Sequence, residues 1–557
     1  MKKILLMTVF TAMAVCFATS CKKSDLAEEN RSKLTSDFFS TAAGIDNGLN
    51  ASYQFLRSLY GPEEGLEAFT NIGADEMRLA NGNRTTHVSI YDTQFDSNNE
   101  FSSGIWAACY RSINTCNGLI IFGQTVTGLT DDARKEKIAE AKFLRAFNYF
   151  VLVRLFGGVT ITEYTTTPTN SATRASLADC YNLVISDLKA AVADLNPTIP
   201  QPGRASIGAA KHLLALVYLT RGWSAAAQTT DFQSAYDTAT DLINNAGTYN
   251  AGLLPDFADV FRDNNENNKE VLFNVQYSTD LTYGGANNAW NHLYVNTYDA
   301  ILGQRDLLNG RSYAWFRATN WVYNTAFADK TNDSRYYKTF QSVWKASKAI
   351  SGTYTITVGG TAYTLPYSAN VGDTALRYPG MNMSIDEIKK HKYVIYTPEN
   401  YNDNRIFPTM TKYLDPLNRT TPNENSHRPV IVFRLAETYL VAAEAAFKLG
   451  QAGNAATMIN AIRSRAAYAG HSDQMQVTAA DINLDFLLAE RTREMMSENV
   501  RWFDLVRTGT LINRVRTYDD YQAKLNIQDF DILRPIPLSQ INSVISGPAY
   551  PQNPGWR

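Results

Sequence analysis

What most limits the folds open to this chain is a recurrence of amphipathic helical segments that come in neighbouring pairs, with small residues where helices would touch. Segment 36–60 places Phe39, Ile45, Leu49, Tyr53 and Leu56 at helical spacing behind a Thr35/Ser36 cap. Segment 106–122 carries Ile113, Leu119 and Ile120, and 138–156 ends at the stop Gly157-Gly158. Segments 177–195, 207–221 and 231–245 complete this half. Late in the chain, 432–449 sets Val432, Leu435, Ala436, Tyr439, Ala443 and Phe447 on one face, and 455–467 and 486–507 follow.

Pairs of about 34 residues are tetratricopeptide-like in length, though the repeat signature is degenerate. Such pairs cannot bury their apolar faces alone and must stack on one another. An unrelated helical bundle would show the same periodicity. The expected class is therefore mainly α: a helix-pair scaffold at about 36–250 and 428–510, a loop-rich, partly β region at about 251–427, and a tail at 511–557. Within the middle region, 353–365 alternates on either side of Gly359-Gly360, a hairpin signal.

Segment 490–509, ERTREMMSENVRWFDLVRTG, has the look of chemistry. Wound as a helix, it puts Leu488, Met495, Trp502 and Val506 on one stripe, and Glu490, Glu494, Glu498 and Arg501 on another face where neighbours can pair. That is a scaffold pattern. Asn499 tolerates the left-handed conformation and is a candidate break.

The N-terminus reads as an address. Lys2 and Lys3 precede an apolar run from Ile4 to Val15, too short to span a bilayer as a mature helix. Ala18-Thr19-Ser20-Cys21 then matches a bacterial lipobox, giving a signal peptide at 1–20, a lipidated Cys21 and a polar tether over 21–35. The alternative is an ordinary secretory signal with a chance cysteine. Of five cysteines, Cys109, Cys116 and Cys180 remain for the mature protein, an odd number. Cys109 and Cys116 would lie roughly 10 Å apart along a helix, too far for a disulfide, so buried thiols are expected. A net charge of −2 and the lack of any basic run exclude a nucleic-acid partner.

Between Tyr277 and Trp344 stand fifteen aromatics, including Trp290, Trp315, Trp321 and Trp344. Aromatic faces stack on sugar C–H faces while Asn side chains bond hydroxyls. The Gly-rich loop 283–291 offers both in Tyr283, Asn287, Trp290 and Asn291; Trp321 with Tyr323 is a second platform, and loop 81–100 with Tyr91 and Phe95 another wall. The competing reading makes these rings the local core of a helix-poor region. No metalloprotease, nucleophile-elbow, dinucleotide or P-loop motif is present. A glycosidase needs only two carboxylates about 5–10 Å apart, for which Asp75, Glu76 and Asp299 are candidates, but adjacent Asp75 and Glu76 should point apart. His292 is expected to hydrogen-bond rather than hold a metal. The string Asp263-Asn264-Asn265-Glu266-Asn267 begins like a calcium loop, yet Asn268 and Asn274 stand where Gly and Glu are needed, so a solvated loop is expected. No catalytic residue, metal or cofactor is assigned.

Five motifs in order resemble the SusD/RagB family. They are EAKFLRAFNYFVLVRLFGG at 140–158; Gly203-Arg204-Ala205 with AAKHLLALVYL; FRLAETYLVAAEA at 433–445; the 490–509 segment; and Pro535-Ile536-Pro537 with Gln552-Asn553-Pro554-Gly555. Asn499 stands where the family commonly has Gly, and Trp556 where it usually has Tyr. The resemblance implies one SusD-like domain over 36–557. It further implies a non-catalytic lipoprotein on the outer-membrane surface that captures an oligosaccharide or polysaccharide, such as starch, and delivers it to a SusC-like TonB-dependent transporter. Peptide capture and a purely structural transporter partner are the alternatives. For a neutral glycan, binding would be little affected by salt and lost on substituting Trp290 or Trp321.

Overall fold

The computed structural model describes residues 36–63, 65–280, 287–401 and 405–556. The signal segment, Cys21, the tether and Tyr283 lie outside the described residues. Helix outweighs strand, about 47% against 10%, so the class is mainly α. The long helices are α1 (Ala42–Phe55), α2 (Glu100–Phe122), α3 (Asp131–Phe156), α4 (Leu177–Asp194), α5 (Ile207–Gly222), α6 (Asp231–Asn244), α7 (Leu435–Lys448), α8 (Ala452–Ala466), α9 (Leu484–Met495), α10 (Arg501–Arg507) and α11 (Leu511–Tyr518).

Local chemistry sets their ends. Thr41, Asn99, Thr130, Ser176 and Ser206 accept from backbone N–H groups of the first turns of α1 to α5, satisfying donors that a helix start leaves open. The observed cap of the first long helix is thus Thr41, beyond the expected position. Gly157, at φ +76°, ends α3 where any side chain would be strained.

Each helix packs on the next from α1 to α6, and α6 then packs on α7, although almost two hundred residues separate them in sequence. The loop-rich middle is therefore an excursion between consecutive members of one stack. The strand β2 (Val271–Val275) leaves the stack and β9 (Val430–Arg434) returns to it, and the two pair antiparallel with Val275 opposite Val430. Residues 432–434, expected to begin a helix, belong to β9, and the helix starts at Leu435. The excursion holds β1 (Met77–Leu79) paired with β3 (Phe316–Ala318), the sheet β4 (Val343–Lys345), β7 (Thr374–Arg377) and β8 (Val394–Ile395), and a hairpin of β5 (Ile350–Val358) and β6 (Thr361–Ala369). Gly359 and Gly360, at φ +58° and +79°, form the hairpin turn at the expected place.

One apolar core runs from Phe39 to Tyr550. Beside it lies a buried ionic hub made by the 490–509 segment. The segment is not one helix: Ser497 and Asn499, at φ 61° and 63°, divide α9 from α10. Glu490 pairs with Arg493 three residues on, as the helical spacing implies, but most partners are distant. Arg434 meets Glu270 at 3.0 Å, Glu494 at 2.6 Å and Glu498 at 2.7 Å. Arg335 meets Asp333, Glu490 and Glu494 within 3.0 Å, and Lys412 meets Glu498 at 2.6 Å. All of these side chains except Arg493, which is half-buried, are buried. The hub fastens the excursion (Glu270, Arg335, Lys412) to the returning scaffold, which is why the segment is so highly charged and yet inaccessible.

The tail closes the assembly. Arg534 lies 4.5 Å from the Trp502 ring and 5.3 Å from Tyr91, while Asn553 donates to the carbonyls of Phe156 and Arg534. Cys109, Cys116 and Cys180 are buried free thiols.

Candidate functional site

Of the four tryptophans in the aromatic-rich stretch, three are withdrawn from solvent. Trp290 is 0% exposed: its indole N–H donates to the Pro62 carbonyl, and its ring packs against Tyr60 and Tyr413. A ring with no free face cannot stack on a sugar. Trp344 is equally buried. Trp321 is 9% exposed and lies beneath Arg501 and Arg514, the guanidiniums that hold Asp75. Tyr91 is buried under Arg534, and Asn291 is buried with its amide donating to the Glu424 carbonyl. Asn287 is exposed. The reading of these rings as local core is the better one for Trp290, Trp321, Tyr323 and Tyr91. Trp290→Ala is accordingly expected to cost about 3–5 kcal/mol in unfolding free energy, measured by chemical denaturation.

The fourth, Trp315, is only partly buried, and sequence reasoning passed over it as a site. Strand β3 is preceded by 311–315, which is pinned on two sides. Ala314 and Trp315 donate to the carbonyls of Val295 and Leu293, and the Trp315 carbonyl accepts from Ala80. Ala314 takes φ 48°, a left-handed conformation that its small side chain tolerates at some cost. With the backbone turned there, Tyr313 and Trp315 stack at 4.8 Å between centroids and 15° between planes. The Arg311 guanidinium sits 4.6 Å from the centre of the Tyr313 ring. The available signal was the two-residue period Arg311, Tyr313, Trp315 after Gly310, which groups every second side chain of an extended segment.

The surroundings are polar. Glu63 engages the Tyr313 hydroxyl, whose pKa is pushed up by burial and then by that carboxylate. Arg305 pairs with Asp299 at 3.0 Å and donates to Asn423. His292 lies beneath, 5.3 Å from Tyr313 between ring centres and 0% exposed. No side chain bonds its ring nitrogens; the backbone at Glu424 is the hydrogen-bonding group set against the ring. Burial first, then Arg419, Arg311 and Arg305, lower its pKa to about 3, so it is neutral at physiological pH.

Nothing here resembles a catalytic pair. Asp75 is enclosed by Arg501 and Arg514, and Glu76 accepts from Thr492 and Ser497; both are buried. The calcium-like string is a loop open to solvent at Asn264 and Asn267, with Glu266 buried beneath it. Arg428 occupies its centre, 3.1 Å from Asp263 and 2.7 Å from Glu266, and supplies the positive charge a cation would. Among the described residues no group of His, Cys, Asp and Glu is arranged to hold a metal ion, and no helix is long and apolar enough to cross a membrane.

Comparison with known proteins agrees with this architecture. The model of the SusD family matches residues 221–556, and a second, described as "Starch-binding associating with outer membrane", matches 25–219. The chain is 25% identical over 556 residues to SusD-like protein P25 of Formosa agariphila, covering 95% of each. It is 25% identical over 437 residues to starch-binding protein SusD of Bacteroides thetaiotaomicron, covering 75% of this chain and 72% of that one. A laminarin-binding SusD-like protein superposes with a TM-score of 0.67 at 22% identity, over 93% of this chain and 100% of that one, which establishes the common fold.

Proposed function

This chain belongs to the SusD family, a family of non-catalytic proteins, and on that premise we propose that it binds an oligosaccharide or polysaccharide against the Tyr313–Trp315 platform. The observation that carries this reading is the stacked pair itself: two large rings held parallel by the backbone and left partly open in a region where the other tryptophans are buried. A prepositioned indole face loses little conformational freedom on binding and covers a sugar ring's C–H face. Relatives whose names state starch or laminarin binding support the ligand class. Anchoring through Cys21 at the outer-membrane surface, and delivery of the glycan to a SusC-like TonB-dependent transporter, complete the proposal and rest on the lipobox and the family.

The test uses a soluble form beginning at Lys22, screened against polysaccharides by affinity electrophoresis and then titrated calorimetrically. Trp315→Ala is expected to weaken binding at least about tenfold, the equivalent of roughly 1.4 kcal/mol, in a protein that still unfolds cooperatively. Unchanged affinity in a folded Trp315→Ala protein would remove the platform from the proposal.

A further inference from the structure

Arg311 is the unusual member of the platform. The arginines around it are committed: Arg305 to Asp299 and Asn423, and Arg419 to the carbonyls of Asp415, Pro422 and Leu307. Arg311 is half-buried, and among the described residues its guanidinium makes neither an ion pair nor a hydrogen bond; it lies against the face of Tyr313. Stacking occupies the plane of a guanidinium and leaves its N–H edge for an acceptor, and it fixes a long side chain that would otherwise lose rotamer freedom on binding. The nearby carboxylates are already engaged. Glu63 takes the Tyr313 hydroxyl, Asp299 takes Arg305, and Glu424 closes the Thr420–Thr421 turn. Beneath the pair, the charges acting on the buried His292 ring are those of Arg419, Arg311 and Arg305. Cationic groups thus converge on one end of an aromatic platform, and among the described residues one of them, the Arg311 guanidinium, has no polar partner.

We infer that the sugar held here carries an anionic substituent, a carboxylate or a sulfate, which the Arg311 guanidinium receives while a ring of the same glycan lies on Trp315. This rests on the platform being the glycan site. It replaces the expectation of a neutral, salt-insensitive ligand with one whose binding has an electrostatic part. A planar guanidinium matches either oxyanion with two parallel N–H donors, so carboxylate and sulfate share the chemistry and differ only in experiment.

The experiment compares matched glycans on the full mature chain without Cys21. Oligogalacturonate is set against its carboxyl-reduced form, and a sulfated galactan oligosaccharide against its desulfated form, with laminarin and starch as neutral references. At low salt, at least one acidic member is expected to bind ten times or more tightly than its neutral counterpart, and the margin is expected to shrink severalfold in 0.5 M salt. Which pair shows the margin distinguishes carboxylate from sulfate. Arg311→Gln should abolish the margin between the acidic form and the neutral one, while Arg311→Lys keeps part of it. Equal binding of acidic and neutral members, or an acidic preference that survives Arg311→Gln, overturns the inference and leaves the platform standing. Failure of every glycan to bind, or binding indifferent to Trp315→Ala, overturns the platform and the inference with it.

Discussion

Replacing Arg434 by Ala is expected to lower the unfolding free energy by about 3–5 kcal/mol. Arg434 is wholly buried and meets Glu270, Glu494 and Glu498, with a further bond to the Glu494 carbonyl. Removing it strands carboxylates in a place water does not reach, and Arg465, Arg335 and Lys412 then carry the whole compensation. The pair of Arg84 with Glu100, 61% and 72% exposed, is the fitting control. Arg84→Ala should change stability by no more than about 1 kcal/mol. Arg434→Lys should fall between the two, because it keeps the charge and loses the fork that reaches several partners at once. Denaturant midpoints of the three variants decide the matter. If Arg434→Ala costs no more than Arg84→Ala, the hub does not hold the excursion to the scaffold.

The same hub shows what the residues disclosed and what they hid. Helical periodicity found the long helices, because 3.6-residue patterning is a local property that tertiary contacts reinforced, but it set the starts of α2 and α3 six and seven residues late and ran α9 and α10 together. It failed at 432–434, where Val432 and Phe433 suit a helix face and a buried strand equally; the deciding partner, β2, lies well over a hundred residues earlier. The acids of 490–509 were read as scaffold, and rightly, but as pairs along one helix. Arg493 and Arg507 are local partners, but the hub's other cations include Arg335, Arg434 and Arg465, which no local spacing could name. The site was hardest. Aromatic density marks a core as readily as a platform, and Trp290 and Trp315 differ only in what covers them. Pro62, Tyr60 and Tyr413 close over Trp290, whereas the turned backbone at Ala314 leaves Trp315 beside Tyr313 at the surface.

The thermal midpoint is expected to pass through a maximum in mildly acid solution, at about pH 4–5, and to fall on both sides. Two sets of buried carboxyls pull in opposite directions. Burial raises Glu494, but Arg465, Arg434 and Arg335 together outweigh it and hold its pKa at about 2; for Glu437, burial is outweighed by His212 and then Arg491, again to about 2. Their folded values lie below the ordinary 4.5. The stability they contribute is therefore complete above that value and is lost as pH falls towards about 2. The second set behaves in reverse. Burial lifts Glu76 to about 7, and Asp263, Asp519 and Asp531 each to about 6. The fold favours their protonated forms, so what they contribute is present below the ordinary carboxyl range and declines as pH climbs through 6 and 7. A displacement of about two units corresponds to roughly 3 kcal/mol per group, enough for either set to move the midpoint by several degrees. Melting curves from pH 3 to 8 at constant ionic strength test this. Glu76→Gln should flatten the limb between about pH 5 and 7, since the amide cannot ionise; its one carbonyl oxygen keeps an acceptor for either Thr492 or Ser497, so the variant starts from a lower midpoint. A midpoint that climbs steadily from pH 3 to pH 7 would show that the arginine-held carboxylates alone govern the response, and that Glu76 and the three aspartates are not protonated in the fold.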